Sequence, residues 1–203
     1  MSSPLKRLVK RCVAFANAFV VTLRAAPKVV FIGDSLTSGW NLIRWFPGAN
    51  YVNKGIGSNT TAQMLARFDT DVLSERPHAV LIWGGTNDLG AATSVESVCR
   101  NITQMRRLAI AAGIVPILGA VTPRRGSLAD ANPAIVVLNN WIRQSGSVVA
   151  DFYSVTVSES GELRSDLAVD GVHFSPDGYR VLTPVATSAI ARGLAEAGAR
   201  SSD

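Results

Sequence analysis

Only two histidines are available for general-base chemistry in this 203-residue chain. His173 stands in Asp170-Gly171-Val172-His173, just ahead of a helical pattern that opens at Pro176. An aspartate three residues before a histidine can reach back across a turn to the imidazole Nδ1–H. There it fixes the tautomer and stabilises the imidazolium formed when Nε2 takes a proton. The same residues also fit a loop histidine beside a helix start with an unrelated aspartate. His78 follows Pro77 and precedes an apolar run, so it falls at the amino end of a strand and reads as structural or solvated.

A base of this kind needs a nucleophile. Ser35 lies in Gly33-Asp34-Ser35-Leu36, at the end of a β-branched run. At the N-terminus of a following helix, it would have free backbone N–H groups that favour developing negative charge. A hydroxyl is a weak nucleophile without an adjacent base, and His173 is the one plausible partner. Acyl transfer also needs donors aimed at the oxyanion. The backbone N–H groups of Ser35 and Gly55 and the side-chain amide of Asn87 could supply three.

These residues must be carried by elements that bring them together. Strand signals run over 28–32, 51–54, 79–83, 114–121 and 148–153, and helical patterns over about 60–75, 94–112, 133–145 and 176–198. Gly113 suits a helix stop and Pro133 a helix start. Strands alternating with helices imply a parallel sheet covered on both faces. Ligands bind such sheets at the carboxyl ends of the strands. The residues found just after strands are Gly33-Asp34-Ser35, Gly55-Ile56-Gly57, Gly84-Gly85-Thr86-Asn87-Asp88 and Thr122-Pro123-Arg124-Arg125. The recurring glycines fit either backbone N–H groups presented to a ligand or ordinary turn chemistry.

Gly33-Asp34-Ser35-Leu36, Gly55, Gly85-Thr86-Asn87-Asp88 and Asp170-Gly171-Val172-His173 together resemble, in order, the motifs of the SGNH hydrolases, also called the GDSL esterase/lipase family. The motifs span residues 33–173, most of the chain. The resemblance implies a flavodoxin-like three-layer α/β/α fold with a five-stranded parallel sheet of order 2-1-3-4-5. It implies Ser35 as nucleophile, His173 as base and Asp170 as its orienting acid, with an oxyanion hole of the Ser35 and Gly55 N–H groups and the Asn87 side chain. It implies no cofactor. The Gly-x-Ser-x-Gly elbow of the α/β-hydrolases is absent from the sequence.

The family takes aryl esters, short-chain esters, lysophospholipids, thioesters and acetylated sugars. A compact domain with short loops leaves little room for a lid or a long acyl tunnel. The expected activity is therefore hydrolysis of short-chain aryl or alkyl carboxylic esters through an acyl-enzyme on Ser35. The alternatives are a lysophospholipase or acyl-thioesterase and, from another class, a non-catalytic flavodoxin-like binding module.

Neighbouring residues admit plainer roles. Trp40 and Trp45, with Phe46, could wall a substrate pocket or pack their segment onto the sheet. Asp34 and Asp88 read as acceptors that hold loops, and Asp177 as a first-turn residue of the last helix. Arg124-Arg125-Gly126 could attract an anionic leaving group or form a solvated loop. Cys12 and Cys99 fall on apolar helical faces and read as reduced core residues. No His, Cys, Asp or Glu cluster has metal-ligand spacing.

The formal charge of +5, from 20 Lys+Arg and 15 Asp+Glu, bears on partners. Residues 1–24 hold Lys6, Arg7, Lys10, Arg11 and Arg24 and no acid, which leaves 15 basic and 15 acidic residues beyond them. A basic groove spread over the fold, and with it nucleic acid as a partner, is not expected. Two cysteines exclude a disulfide scaffold, and the hydrophobic content of 47% excludes disorder. No apolar run is long enough for a transmembrane span.

Residues 1–26 read as a basic amphipathic helix. Leu5, Leu8, Val9, Cys12, Val13, Phe15, Ala16, Phe19, Val20 and Leu23 share one side, and the charges share the other. This segment is expected to be retained, with residues 27–203 forming the hydrolase domain in the cytoplasm. Retained, it could serve self-association or peripheral contact with an anionic membrane. A cleaved signal would instead place the domain in the periplasm or outside the cell.

Overall fold

The computed structural model describes residues 26–200. The amphipathic pattern over residues 5–23, and Cys12 with it, lie outside the described residues.

Five short strands form one sheet: β1 (Val29–Gly33), β2 (Tyr51–Gly55), β3 (Ala79–Trp83), β4 (Val115–Gly119) and β5 (Val148–Ala150). Their order is β2-β1-β3-β4-β5 and every pairing is parallel, as expected. β1 and β3 are central and buried at every position. This explains why they read as continuous apolar runs, Val-Val-Phe-Ile and Ala-Val-Leu-Ile-Trp, without polar alternation.

Successive side chains point to opposite faces, so each strand divides its residues between two cores. Val29, Phe31, Ala79, Leu81, Trp83 and Ile117 pack under the last helix, α8 (Pro176–Arg200), through its Leu182, Ala186, Ala189 and Ile190. Val30, Ile32, Val80, Ile82 and Leu118 face the other way. They meet α3 (Thr61–Ala66), α5 (Val95–Ala111) and α6 (Asn132–Gln144) through Met64, Val98, Ile102, Met105, Ile135 and Leu138. The result is the three-layer, flavodoxin-like α/β/α arrangement.

Short helices sit between these elements: α1 (Ser35–Ser38), α2 (Leu42–Trp45), α4 (Thr86–Gly90) and α7 (Phe152–Thr156). Two of the sequence-derived boundaries change for identifiable reasons. The fifth strand stops at Ala150 because Asp151 accepts from the Ser154 N–H (3.2 Å) and hydroxyl (2.8 Å), capping α7. The helix expected over 60–75 starts on a Thr60–Gln63 capping box, ends at Ala66 and continues as a π-turn over Asp69–Leu73. Gly113, at φ 72°, ends α5 as expected.

The strand order reverses where β1 lies between β2 and β3. Ligand sites form at such a switch point, outside the carboxyl ends of the strands. Ser35, the residues after Gly55, and Asn87 all follow those ends.

Candidate active site

Ser35 is the first residue of α1, and Asp34 is the helix N-cap. The Asp34 carboxylate accepts the Leu36 N–H at 2.9 Å, while the Ser35 N–H has no acceptor among the described residues. This short helix is held from two sides. Asn53 of β2 donates its amide to the carbonyls of Thr37 (2.7 Å) and Trp40 (3.0 Å), and Tyr179 of α8 donates its hydroxyl to the Leu36 carbonyl (2.9 Å).

Ser35 Oγ lies 2.9 Å from His173 Nε2, and His173 Nδ1 lies 2.7 Å from Asp170 Oδ2. The other Asp170 oxygen accepts the N–H groups of Val172 and His173, each at 2.7 Å. The His173 N–H and imidazole, together with the Val172 N–H, hold the Asp170 carboxyl at about 2, so it stays ionised at any working pH. The structure thus brings Ser35, 138 residues away in the chain, to the histidine that spacing pairs with Asp170. The His173 and Asp170 side chains are 47% and 52% exposed, so the relay opens directly to solvent.

Asn87 is the second residue of α4, directly beyond β3. Its Nδ2 donates to the Asn59 carbonyl at 3.0 Å, leaving the second amide hydrogen for another acceptor. Gly55 behaves otherwise than expected. Its N–H donates to Asn53 Oδ1 at 2.8 Å, so it is not free for an oxyanion. Glycine is needed there for space, since a Cβ would stand 2.1 Å from the Ser38 nitrogen in α1. In the loop beyond Gly55, Ile56 donates to Gly33 and Asn59 to Ile56. The N–H groups of Gly57 and Ser58 take no acceptor among the described residues. Ser58 is held at φ 61°, a conformation costly for a residue with a Cβ.

Arg67 was not singled out in the sequence, yet it ties this loop to the sheet. Its guanidinium donates to Asn59 Oδ1 (2.9 Å), to the Lys54 carbonyl (2.8 Å) and to the Gly33 carbonyl (2.9 Å), and it pairs with Asp71 (2.5 Å). One side chain therefore spans the ends of β1 and β2 and the residue whose carbonyl holds Asn87. A helical arginine among many gives no signal of this in sequence.

The expected pocket walls are elsewhere. Trp40 is 1% exposed and packed among Phe31, Phe46, Trp83, Phe152 and Tyr179, so it belongs to the core. Phe46 is buried with it. Trp45 lines a surface recess with Arg180, Thr183, Pro184 and Thr187 of α8, apart from Ser35 and His173.

The loop-holding aspartates behave as read. Asp88 accepts the Thr61 N–H (2.9 Å) and hydroxyl (2.6 Å). Asp177 pairs with Arg180 within the first turn of α8. His78, at the amino end of β3, accepts the Lys28 N–H at Nδ1 (3.1 Å).

This geometry agrees with what the chain resembles. The family model for GDSL-like lipases and acylhydrolases matches residues 31–181. A candidate acylhydrolase from Bacteroides fragilis is 32% identical with a TM-score of 0.77, over 89% of this chain and 95% of its own. A GDSL-like lipase from Bacteroides thetaiotaomicron is 30% identical with a TM-score of 0.77, over 90% and 97%. An acetylxylan esterase from Geobacillus stearothermophilus shares the fold at 20% identity and a TM-score of 0.65, over 82% and 94%. No curated protein matches the chain.

Proposed function

This chain belongs to the GDSL-like lipase/acylhydrolase family and is a carboxylic ester hydrolase, and we propose that it cleaves short-chain aryl or alkyl esters through an acyl-enzyme on Ser35. The carrying observation is the continuous relay from Ser35 Oγ through His173 to Asp170, at 2.9 and 2.7 Å.

In the first step His173 Nε2 takes the hydroxyl proton as Ser35 Oγ attacks the ester carbonyl carbon. Asp170 stabilises the imidazolium without taking its proton. The tetrahedral oxyanion meets the Ser35 N–H and the free hydrogen of the Asn87 amide. In place of the occupied Gly55 N–H, the third donor is the Ser58 N–H, in the strained loop whose Asn59 carbonyl orients Asn87. The imidazolium then gives its proton to the departing alkoxide, and the acyl group stays on Ser35. Water repeats the sequence: His173 takes its proton, hydroxide adds to the acyl carbon, and the acid leaves as Ser35 is reprotonated. The open setting of His173 and Asp170 supports a short acyl group, because a long chain needs enclosing walls to bury its methylenes.

Ser35→Ala with a panel of 4-nitrophenyl esters of increasing chain length tests both parts of the reading. The variant is expected to lose turnover while keeping its melting temperature, and the wild type to favour the shortest acyl chains. Wild-type turnover by Ser35→Ala would remove the acyl-enzyme. An optimum at long chains would favour lysophospholipase or acyl-thioesterase activity.

A further inference from the structure

Arg124 follows β4, and its backbone is fixed. Asn132 accepts the Arg124 N–H at Oδ1 and donates to its carbonyl from Nδ2, both at 2.8 Å. The Leu163 N–H donates to the same carbonyl at 3.3 Å. The side chain is half-buried and lies against Gly90, the last residue of α4. A Cβ at Gly90 would stand 2.1 Å from a terminal guanidinium nitrogen, so the missing side chain makes the space the guanidinium occupies.

Nothing in the described residues accepts a hydrogen bond from that guanidinium, and no carboxylate pairs with it. Its Nε is buried without a partner. Burial lowers its affinity for the proton, but an arginine remains charged at any ordinary pH. The contrast is with Arg67, Arg143, Arg164 and Arg180, each of which pairs with a carboxylate. Taking a cation partly out of water without an acceptor is unfavourable, and an anionic ligand would offset that cost.

The position of Arg124 suggests where such a ligand would come from. Gly90 lies one helical turn beyond Asn87 on α4, on the same side. The next residue, Arg125, donates its N–H to the Gly171 carbonyl at 3.0 Å, inside the Asp170–His173 segment. Arg124 therefore sits between the element that carries Asn87 and the loop that carries His173, at the carboxyl edge of the sheet.

From this arrangement we propose that Arg124 binds a carboxylate or phosphate group on the ester substrate, making the enzyme selective for anionic esters. The proposal rests on the serine-esterase reading and specifies its substrate class. A guanidinium donates in a planar fork that fits either group with paired hydrogen bonds.

The test compares kcat/KM for phenyl acetate, which is neutral, with monophenyl succinate, anionic on the acyl side, and 4-acetoxyphenyl phosphate, anionic on the alcohol side. Arg124→Gln is expected to lower kcat/KM for at least one anionic ester by roughly tenfold to a hundredfold relative to phenyl acetate. Which ester responds identifies the side that carries the charge. Arg124→Lys should recover part of the loss, because it restores charge without the fork. If Arg124→Gln changes all three esters by one common factor, the side chain only packs and the proposal falls alone. If the wild type hydrolyses none of the three esters, the esterase reading falls with it. Should Arg124→Gln fail to fold, salt titration of the wild type decides. Anionic-ester turnover should drop between low and about 0.5 M ionic strength while phenyl acetate does not, and equal salt responses would overturn the proposal.

Discussion

Asp170 holds His173 with both of its carboxylate oxygens: Oδ2 lies 2.7 Å from the imidazole Nδ1, and Oδ1 accepts the backbone N–H of His173 at 2.7 Å. An asparagine cannot do both. If its carbonyl keeps the backbone contact, its NH2 faces Nδ1 and favours the tautomer with the proton on Nε2. That tautomer cannot take the proton of Ser35. Asp170→Asn is therefore expected to lower kcat by about 10⁴ with little change in melting temperature. Steady-state kinetics on an aryl ester checks this, and a loss of less than about tenfold would mean that the tautomer is set elsewhere.

In the proposed mechanism Asn87 divides its amide between two tasks. One hydrogen is held by the Asn59 carbonyl at 3.0 Å, which aims the other. Asn87→Ala should then cost about 10²–10³ in kcat with a small effect on KM, because the contact strengthens as charge develops on the carbonyl oxygen. A loss confined to KM would assign Asn87 to ground-state binding.

What the sequence disclosed here depends on distance along the chain. Asp170 and His173 are three residues apart, so their contact is local and readable. Strand order and the two cores follow from apolar runs alternating with helical patterns. Gly55 is different: whether a glycine is present for its N–H or for its missing Cβ depends on what crosses it. The crossing residue, Ser38, comes from another element. Trp40 carries the same ambiguity, since an aromatic residue after a nucleophile can wall a pocket or fill a core. Arg67 acts through carbonyls 13 and 34 residues away, and backbone acceptors carry no residue-type signal.

The steric reading of Gly55 gives a paired test. A Cβ at Gly55 meets the backbone nitrogen of Ser38 at 2.1 Å, within the four-residue helix that begins with Ser35. At Gly57 a Cβ meets nothing within 4 Å. Gly55→Ala should destabilise by about 1–3 kcal/mol and lower kcat by displacing Ser35, whereas Gly57→Ala should change either quantity little. Thermal melts and aryl-ester kinetics on both variants decide it; equal tolerance of the two would contradict the reading.

Arg67 ties the loop of Ser58 and Asn59 to the ends of β1 and β2, and with the oxyanion role proposed for that loop this predicts a specific coupling. Arg67→Lys keeps the charge near Asp71 but cannot reach Gly33, Lys54 and Asn59 together. It should cost about 1–3 kcal/mol of stability and lower kcat more than it raises KM. In an Asn87→Ala background the further kcat loss should shrink, since the loop then has no amide to aim, leaving only the part carried by the Ser58 N–H. Full additivity of the two substitutions in a kcat cycle would separate Arg67 from the aiming of Asn87.

Asp34 adjoins Ser35, the proposed nucleophile, and should give stability a pH dependence of known sign. It is 1% exposed, and burial pushes its carboxyl from 3.8 up to about 7, with the Asp88 charge adding to the rise and the Leu36 N–H opposing it. Between 3.8 and about 7 the folded protein keeps a proton that the unfolded chain has released. The group's contribution to stability is therefore full below 3.8 and declines as pH rises through about 7. Asp34→Asn removes this titration, and its side-chain carbonyl can still accept the Leu36 N–H. The melting temperature of the variant minus that of the wild type should thus become more positive from acidic to mildly alkaline pH, by an amount on the order of a few kcal/mol in stability. A difference that stays constant across that range would return the Asp34 carboxyl to its ordinary value.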